Sequence, residues 1–231
     1  MRQGRMHLRS SMPTMGCRPS SRRSDCIGAF ALGHSQAEKA QSRERILKEA
    51  ADQIRDGGLE SVSVGKLMKS VNLTHGGFYG HFASRADLLA QALRRALVDG
   101  VRRSAAREKS VRTTGFAGFV SDYLSSSHRD SRSTGCAVSA LISDVGRADA
   151  QSKSIMAGSI EDYIAAARRH LGDDDDSRAM LAVSAMVGAL ALSRAMTDSA
   201  RSDDLLRSVR EQLIALNEPN ERALSGNQDE T

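Results

Sequence analysis

Apolar side chains recur along this chain at the three-to-four-residue spacing of helices, segment after segment, and do not settle into the alternation of a strand. Ile46, Leu47, Ala50 and Ile54 share one face of a segment over about 41–56, and Gly57-Gly58 stops it. Val64, Leu67, Met68 and Val71 form the i, i+3, i+4, i+7 stripe of a second, short helix with Ser63 at its N-cap position. Asn72 then stands at a sharp turn. After glycine, asparagine best tolerates the left-handed conformation that such a turn needs. Phe78 and Phe82, four apart, share the buried face of a third helix over 74–82. A long fourth helix opens with Ser84 as N-cap and Asp87 three residues on, a capping-box-like pair. Its stripe runs from Leu88 through Leu89, Ala92, Ala96, Leu97 and Val101 to about residue 107.

Two short helices joined by a tight turn predict a helix-turn-helix, whose second helix enters the major groove of DNA. Thr74, His75 and Tyr79 fall off the Phe78–Phe82 face and carry groups that reach phosphates or base edges. Gly76 and Gly77 bring only backbone to that surface, so direct readout from this helix is sparse, and Ser63 and Lys66 on the preceding helix add to it.

The order and spacing of these pieces over residues 42–93 resemble the TetR family of bacterial transcriptional regulators. The resemblance rests on the first helix with Gly57-Gly58, the helix-turn-helix, Phe78-Tyr79-Gly80-His81-Phe82, and the Ser84-Arg85-Ala86-Asp87-Leu88-Leu89 entry to the fourth helix. It implies that Thr74, His75 and Gly76 start the recognition helix and that Tyr79 and His81 lie at the phosphate backbone. Arg85 takes the place of a lysine that reaches a phosphate. Asn72 stands where the family commonly has glycine. Met68 stands where a small alanine is usual, which predicts slightly wider helix spacing. The family also implies a homodimer that binds a palindromic operator in double-stranded DNA and is released by a small-molecule effector.

Beyond residue 113 the pattern predicts helices over 116–127, 136–145 and 152–171, an acidic loop at 173–176, and a final antiparallel pair over 177–198 and 203–217. Leu181, Ala185, Gly188 and Leu192 on the first of that pair, and Leu206, Val209 and Leu213 on the second, spread apolar surface over more than one side. Such helices are sandwiched, either in a monomer core or between subunits. The family resemblance favours a two-fold four-helix bundle built from them. Phe119, Tyr123, Cys136, Met156, Tyr163 and Met186 are the candidate liners of an effector pocket, being large or reactive side chains on the segments that would surround it; ordinary core packing is the alternative. Gly135-Cys136 after His128-Arg129-Asp130 also resembles a branch of the family in which a Gly-Cys pair opens the sixth helix. Cys136 is read either as a thiol activated by the helix start or as a small packing residue.

Composition narrows the picture. Aromatics are 3% of the 231 residues and Trp is absent, which suits an all-α chain better than a sandwich or barrel. Six Arg face one Asp over residues 1–36, thirteen Lys or Arg face eight acids over 37–107, and fourteen face nineteen acids beyond, so a basic first half precedes an acidic second. That polarity fits a phosphate-docking module followed by one that does not dock. Three widely spaced cysteines form no disulfide framework or metal-ligand rhythm and fit a reducing cytoplasm. The basic amino terminus lacks a signal-peptide core. The best membrane candidate, residues 180–196, is broken by Ser184, Gly188, Ser193 and Arg194, so no membrane span is expected.

Other signals carry little. His128-Arg129-Asp130 is similar to a kinase catalytic loop without a nucleotide loop, and Asp173–Asp176 lack the spacing of a calcium site. His75 and His81 have no further ligands converging on them, so no metal and no cofactor is expected. The reading is therefore an all-α DNA-binding regulator in four parts. A disordered basic extension (1–37) precedes a three-helix head (38–84). The long helix joins that head to a helical effector-binding and dimerisation domain (85–217), and a disordered tail follows (218–231). The alternative is a helical partner-binding or structural protein without specific DNA binding. An enzyme is disfavoured because no nucleophile-base constellation or phosphate loop is present.

Overall fold

Every regular element among the described residues of the computed structural model (24–108, 115–172 and 176–217) is helical. The expected tail, the acidic residues Asp173–Asp175 and the first part of the amino-terminal extension fall outside those residues. Helix α1 (Ser24–Gly57) begins well before the segment that periodicity predicts, so residues 24–37, expected to be disordered, are helical. Proline is absent between Pro19 and the end of α1, and the stretch before Gln41 is rich in good helix formers such as Ala37, Glu38, Lys39 and Ala40. Residues up to Ala40 form a unit of their own; all that follows concerns the unit from Gln41 onward.

In that unit α1, α2 (Val64–Ser70) and a 3-10 turn (His75–Gly80) build a small head around Ile46, Ile54, Leu67, Met68 and Phe78, all essentially inaccessible to solvent. Each such side chain contributes roughly 1.5–3 kcal/mol by leaving water. Asn72 takes the left-handed conformation at φ 59°, as its place in the turn predicts. Helix α3 (Arg85–Glu108) leaves the head as a long rod. Its cap is reciprocal: Ser84 Oγ accepts from the Asp87 amide at 3.1 Å, and Asp87 accepts from the Ala83 amide at 3.1 Å.

The body comprises α4 (Gly115–Tyr123), α5 (Ser126–Asp130), α6 (Ala137–Gly146), α7 (Ala150–Leu171), α8 (Asp176–Ala195) and α9 (Ser199–Asn217). The single segment expected over 116–127 is two helices, because Ser125 leaves helical geometry and its hydroxyl caps α5 by accepting from the His128 amide at 3.2 Å. Asp149 caps α7 in the same way, and Gly172 ends it at φ 65°. Helix α8 packs against α6, α7 and α9, which accounts for apolar residues on several of its sides. By length and composition α8, which contains most of the candidate segment 180–196, is able to cross a membrane; its Ala182, Met186 and Leu190 are buried against protein.

Candidate nucleic-acid interface

The recognition segment is a 3-10 turn rather than the α-helix expected over 74–82. The amide of Gly77 bonds the Thr74 carbonyl at 3.0 Å and that of His81 the Phe78 carbonyl at 2.9 Å, both i to i+3. Gly76, Gly77 and Gly80 make a long α-helix costly here, and the tighter turn holds the segment instead. Its inner side is closed by Phe78 and Phe82, whose rings stack at 5.6 Å, with the Arg43 guanidinium 4.8 Å from the Phe82 centroid. Its outer side presents Thr74, His75, Gly76 and Tyr79 to solvent, Tyr79 at 71% exposure. Ser63 and Lys66 on α2 are exposed as well. His75 lies over Gly65 of α2, where a Cβ would sit 3.6 Å from its Nδ1. Gly77 and His81 are half-buried. Met68 reaches under Gly77, its Cε 3.7 Å from where a Cβ would stand, so the larger residue fills space that the glycine leaves open.

Arg85, expected to reach a phosphate, is engaged within the head. Its Nε donates to the Val62 carbonyl at 3.2 Å and its Nη2 to Glu60 at 3.1 Å, so the side chain braces the loop between α1 and α2. It remains about two-fifths exposed. Its Nη2 also reaches the Leu59 carbonyl at 3.4 Å, so two loop carbonyls receive a donor from this one side chain.

Residues 46–92 match the model of the bacterial regulatory proteins of the tetR family. The head is a TetR-family head. No curated protein sequence matches the chain. Among solved structures, the chain is similar to a TetR-family transcriptional regulator from Cytophaga hutchinsonii (17% identity, TM-score 0.64, covering 77% of this chain and 96% of that one). Reduced NemR from E. coli is also similar (16% identity, TM-score 0.63, 75% and 95%), as is the TetR-family regulator SCO4454 from Streptomyces coelicolor (19%, TM-score 0.60, 80% and 96%). These likenesses give the chain the all-α fold of TetR-family transcriptional regulators, from the helix-turn-helix head through the helical body.

Behind the TetR head, two side chains tie it to the body. Arg55, almost wholly buried, donates to the carbonyl of Ser133, to the carbonyl of Ala96 at 3.2 Å and to Asp52. Burial first, then nearby Arg103, pushes its pKa down, and Asp52 opposes the shift. Asp144 of α6 accepts from the Leu59 amide at 3.0 Å. Gly58, at φ 85°, is needed there, because a Cβ would come 2.5 Å from the Asp144 carboxylate. Sequence reading missed both ties. Arg55 shares a face with Ala51, and a charge on a buried face was the available signal.

Of the six expected pocket residues, three meet. Tyr123 donates to Cys136 Sγ at 3.2 Å, and the Tyr163 hydroxyl stands 3.5 Å from the same sulfur. Burial, and then Cys136, pushes both tyrosine hydroxyls above their ordinary pKa, so they stay protonated. His128, in the triplet that sequence reading set aside, joins this group. Its Nε2 accepts from the Cys136 amide at 3.1 Å and its Nδ1 faces the Tyr123 carbonyl at 2.8 Å, which fixes the neutral tautomer with hydrogen on Nδ1. Arg194 of α8 closes the cluster through the carbonyls of Arg129 and His128 and the Ser139 hydroxyl, each at 3.1 Å. Phe119, Met156 and Met186 do not line the space beside Cys136. Phe119 stacks on His170 at 4.7 Å, and the two methionines are buried in the core.

The expected dimer residues divide. Leu181 and Leu192 are more than half exposed, and nothing stands within 4 Å of a Cβ built on Gly188. Ala185 and Val209 are half-buried. Leu206 and Leu213, by contrast, are covered inside the chain, where α9 packs on α4 and α8, so they belong to the subunit core.

Proposed function

We propose that the chain is a cytoplasmic homodimeric repressor that binds a palindromic operator and leaves it when a small molecule occupies the body. The observation that carries the reading is the exposed polar rim of the 3-10 turn on a head whose other side is closed by Phe78 and Phe82. Thr74, Tyr79 and His81 meet phosphates and set register, while His75 and the backbone at Gly76 and Gly77 approach base edges, with Ser63 and Lys66 beside them. Arg85 acts at one remove, holding the loop before α2, and offers its exposed edge to a phosphate. The exposed stripe of Leu181 and Leu192 on α8, with Ala185 and Gly188 between, supports pairing with a second copy, as two helices from each subunit make a four-helix bundle. Release follows from ligand favouring a head separation that no longer matches two half-sites.

A salt-titrated binding assay on the DNA upstream of the gene tests this. Specific binding that weakens steeply with salt is expected. Lys66→Ala lowers the salt slope by about one, and His75→Ala changes base preference instead. Tyr79→Phe weakens binding to all sequences alike. Binding insensitive to salt and to all three substitutions would leave a helical protein that docks on something other than DNA. Leu192→Asp is expected to shift sedimentation from dimer to monomer; a dimer that survives it rejects the α8 interface.

A further inference from the structure

An open cleft of about 360 Å3 lies where the head meets the body, between the last turn of α1, α6, the α5–α6 loop and the end of α8. Sites for small metabolites begin at roughly 300 Å3. The body wall of the cleft carries Arg132 and Arg194. Arg132 is exposed, and its guanidinium has no acceptor among the described residues. Arg194 donates to two carbonyls and the Ser139 hydroxyl, none of which offsets its charge. Burial first, and the charge of Arg132 with it, pushes the Arg194 pKa down. The acids close by are spoken for, Asp130 by Arg129 at 2.8 Å and Asp144 by Arg147 at 3.1 Å. Arg55, the third arginine at the cleft, is paired with Asp52. Two guanidiniums thus stand together without a counter-ion, an arrangement that an anion relieves. The head wall is of the opposite kind. The last turn of α1 brings carbonyls that have no donor within the helix, and Asp56 is exposed with no partner for its carboxylate among the described residues. Ala140 and Ala191 put only methyl groups into the space between.

We propose that this cleft binds a sugar phosphate, its phosphate on Arg132 and Arg194 and its hydroxyls toward Asp56 and the end of α1. Two guanidiniums without a counter-ion match the nearly two negative charges of a phosphate monoester better than the single charge of a carboxylate. Hydroxyls donate to the carboxylate and carbonyls of the head wall, which would repel a second anionic group. The site deepens the ligand-release reading and rests on it for its consequence. Asp56 belongs to α1 of the head, whereas Arg132 and Arg194 belong to the body. A ligand held by both walls ties them together and fixes the angle at which the body carries the head.

The test uses the full chain without DNA, so it succeeds or fails independently of operator release. Thermal unfolding is followed in glucose 6-phosphate, inorganic phosphate, glucuronate and chloride, as sodium salts at equal ionic strength. Glucose 6-phosphate is expected to raise the melting temperature saturably, inorganic phosphate to do so only at higher concentration, and glucuronate and chloride to do little. Arg132→Gln, at an exposed and unbonded side chain, should leave the melting temperature of the free protein unchanged and weaken the glucose 6-phosphate response at least about tenfold. Arg132→Lys, a point charge without the planar fork, should retain part of the response. Asp56→Ala should bring glucose 6-phosphate down to the level of inorganic phosphate, whose own response does not fall. No response to glucose 6-phosphate, an equal response to glucuronate or chloride, or an undiminished response in Arg132→Gln would overturn the assignment. A saturable, Arg132-dependent response in a protein whose operator affinity the sugar phosphate leaves unchanged would keep the site and remove only its part in release.

Discussion

In the head, Thr74, His75 and Tyr79 stand in water around a short turn whose other side is sealed by two stacked phenylalanines. In the body, Tyr123, His128 and Cys136 are buried and, with the half-covered Arg194, bonded to one another and to backbone carbonyls. Both regions carry polar groups on an apolar frame, but they handle them in opposite ways. The head leaves its donors to solvent, where exchanging water for phosphate costs little, and so keeps a surface ready for a large polyanion. The body satisfies its groups internally, which fixes the α5–α6 loop in one arrangement.

The sharpest way to break the head is from its sealed side. Phe78→Ala removes a ring that is almost wholly buried and stacked on Phe82, and should cost about 3–5 kcal/mol. The melting temperature of the whole protein should fall, and DNA binding should be lost with it. If stability drops by less than about 1 kcal/mol, the turn is not held by its aromatic core and the contrast fails.

The two arginine braces sharpen the same comparison. Arg55→Met leaves the Ser133 and Ala96 carbonyls without their donor inside the protein, and should destabilise by about 1–3 kcal/mol in denaturant unfolding. Arg85→Met removes a brace that is partly in water, where solvent replaces the lost bonds, and should cost less than about 1 kcal/mol. Equal losses would contradict the claim that Arg55 couples buried surfaces while Arg85 trims an exposed loop.

How much of this was legible in the sequence follows from distance along the chain. Phe78 and Phe82, Asn72, and Ser84 with Asp87 act within four residues of each other, so spacing alone exposes them, and the all-α fold and the head follow. The 3-10 character of the recognition turn was hidden because three glycines weaken a helix without saying what replaces it. The body's polar cluster was hidden for another reason. Arg55 meets Ser133 across 78 residues and Arg194 meets His128 across 66, and no periodicity links them. Leu206 and Leu213 were assigned to the dimer face because an apolar helix shows how much surface it must bury, not which neighbour buries it. Tyr123, Cys136 and Tyr163 were grouped from the expected course of their helices, and the structure brings these three together.

Cys136 distinguishes a packed thiol from a reactive one. It is 2% exposed, accepts from Tyr123 and sits at the N-cap of α6. Alkylation of the native protein by iodoacetamide at neutral pH should run more slowly than that of a free model thiol, limited by opening of the body. Reaction as fast as the model thiol would restore the activated-thiol reading and show that the body's cluster is open to solvent.

The smallest effect concerns the start of α3, where head and body share one helix. Asp87 accepts from the Gln91 side chain at 2.7 Å and from the Ala83 amide at 3.1 Å, and these bonds, in that order, hold its pKa below the ordinary carboxylate value. With the folded pKa depressed, the stabilisation is present above the unfolded pKa of about 4 and is lost as pH falls through the folded value. The group is half-buried, so solvent screens it in part, and removing the cap should cost about 1 kcal/mol or less. Asp87→Asn should therefore lower stability slightly at pH 7 and leave a shallower acid limb between about pH 5 and pH 2 than the parent shows. Urea unfolding across that range reads the difference. An identical acid limb in both proteins would mean that the Asp87 bonds contribute nothing to folding and that α3 is held at its start by Leu88 packing alone.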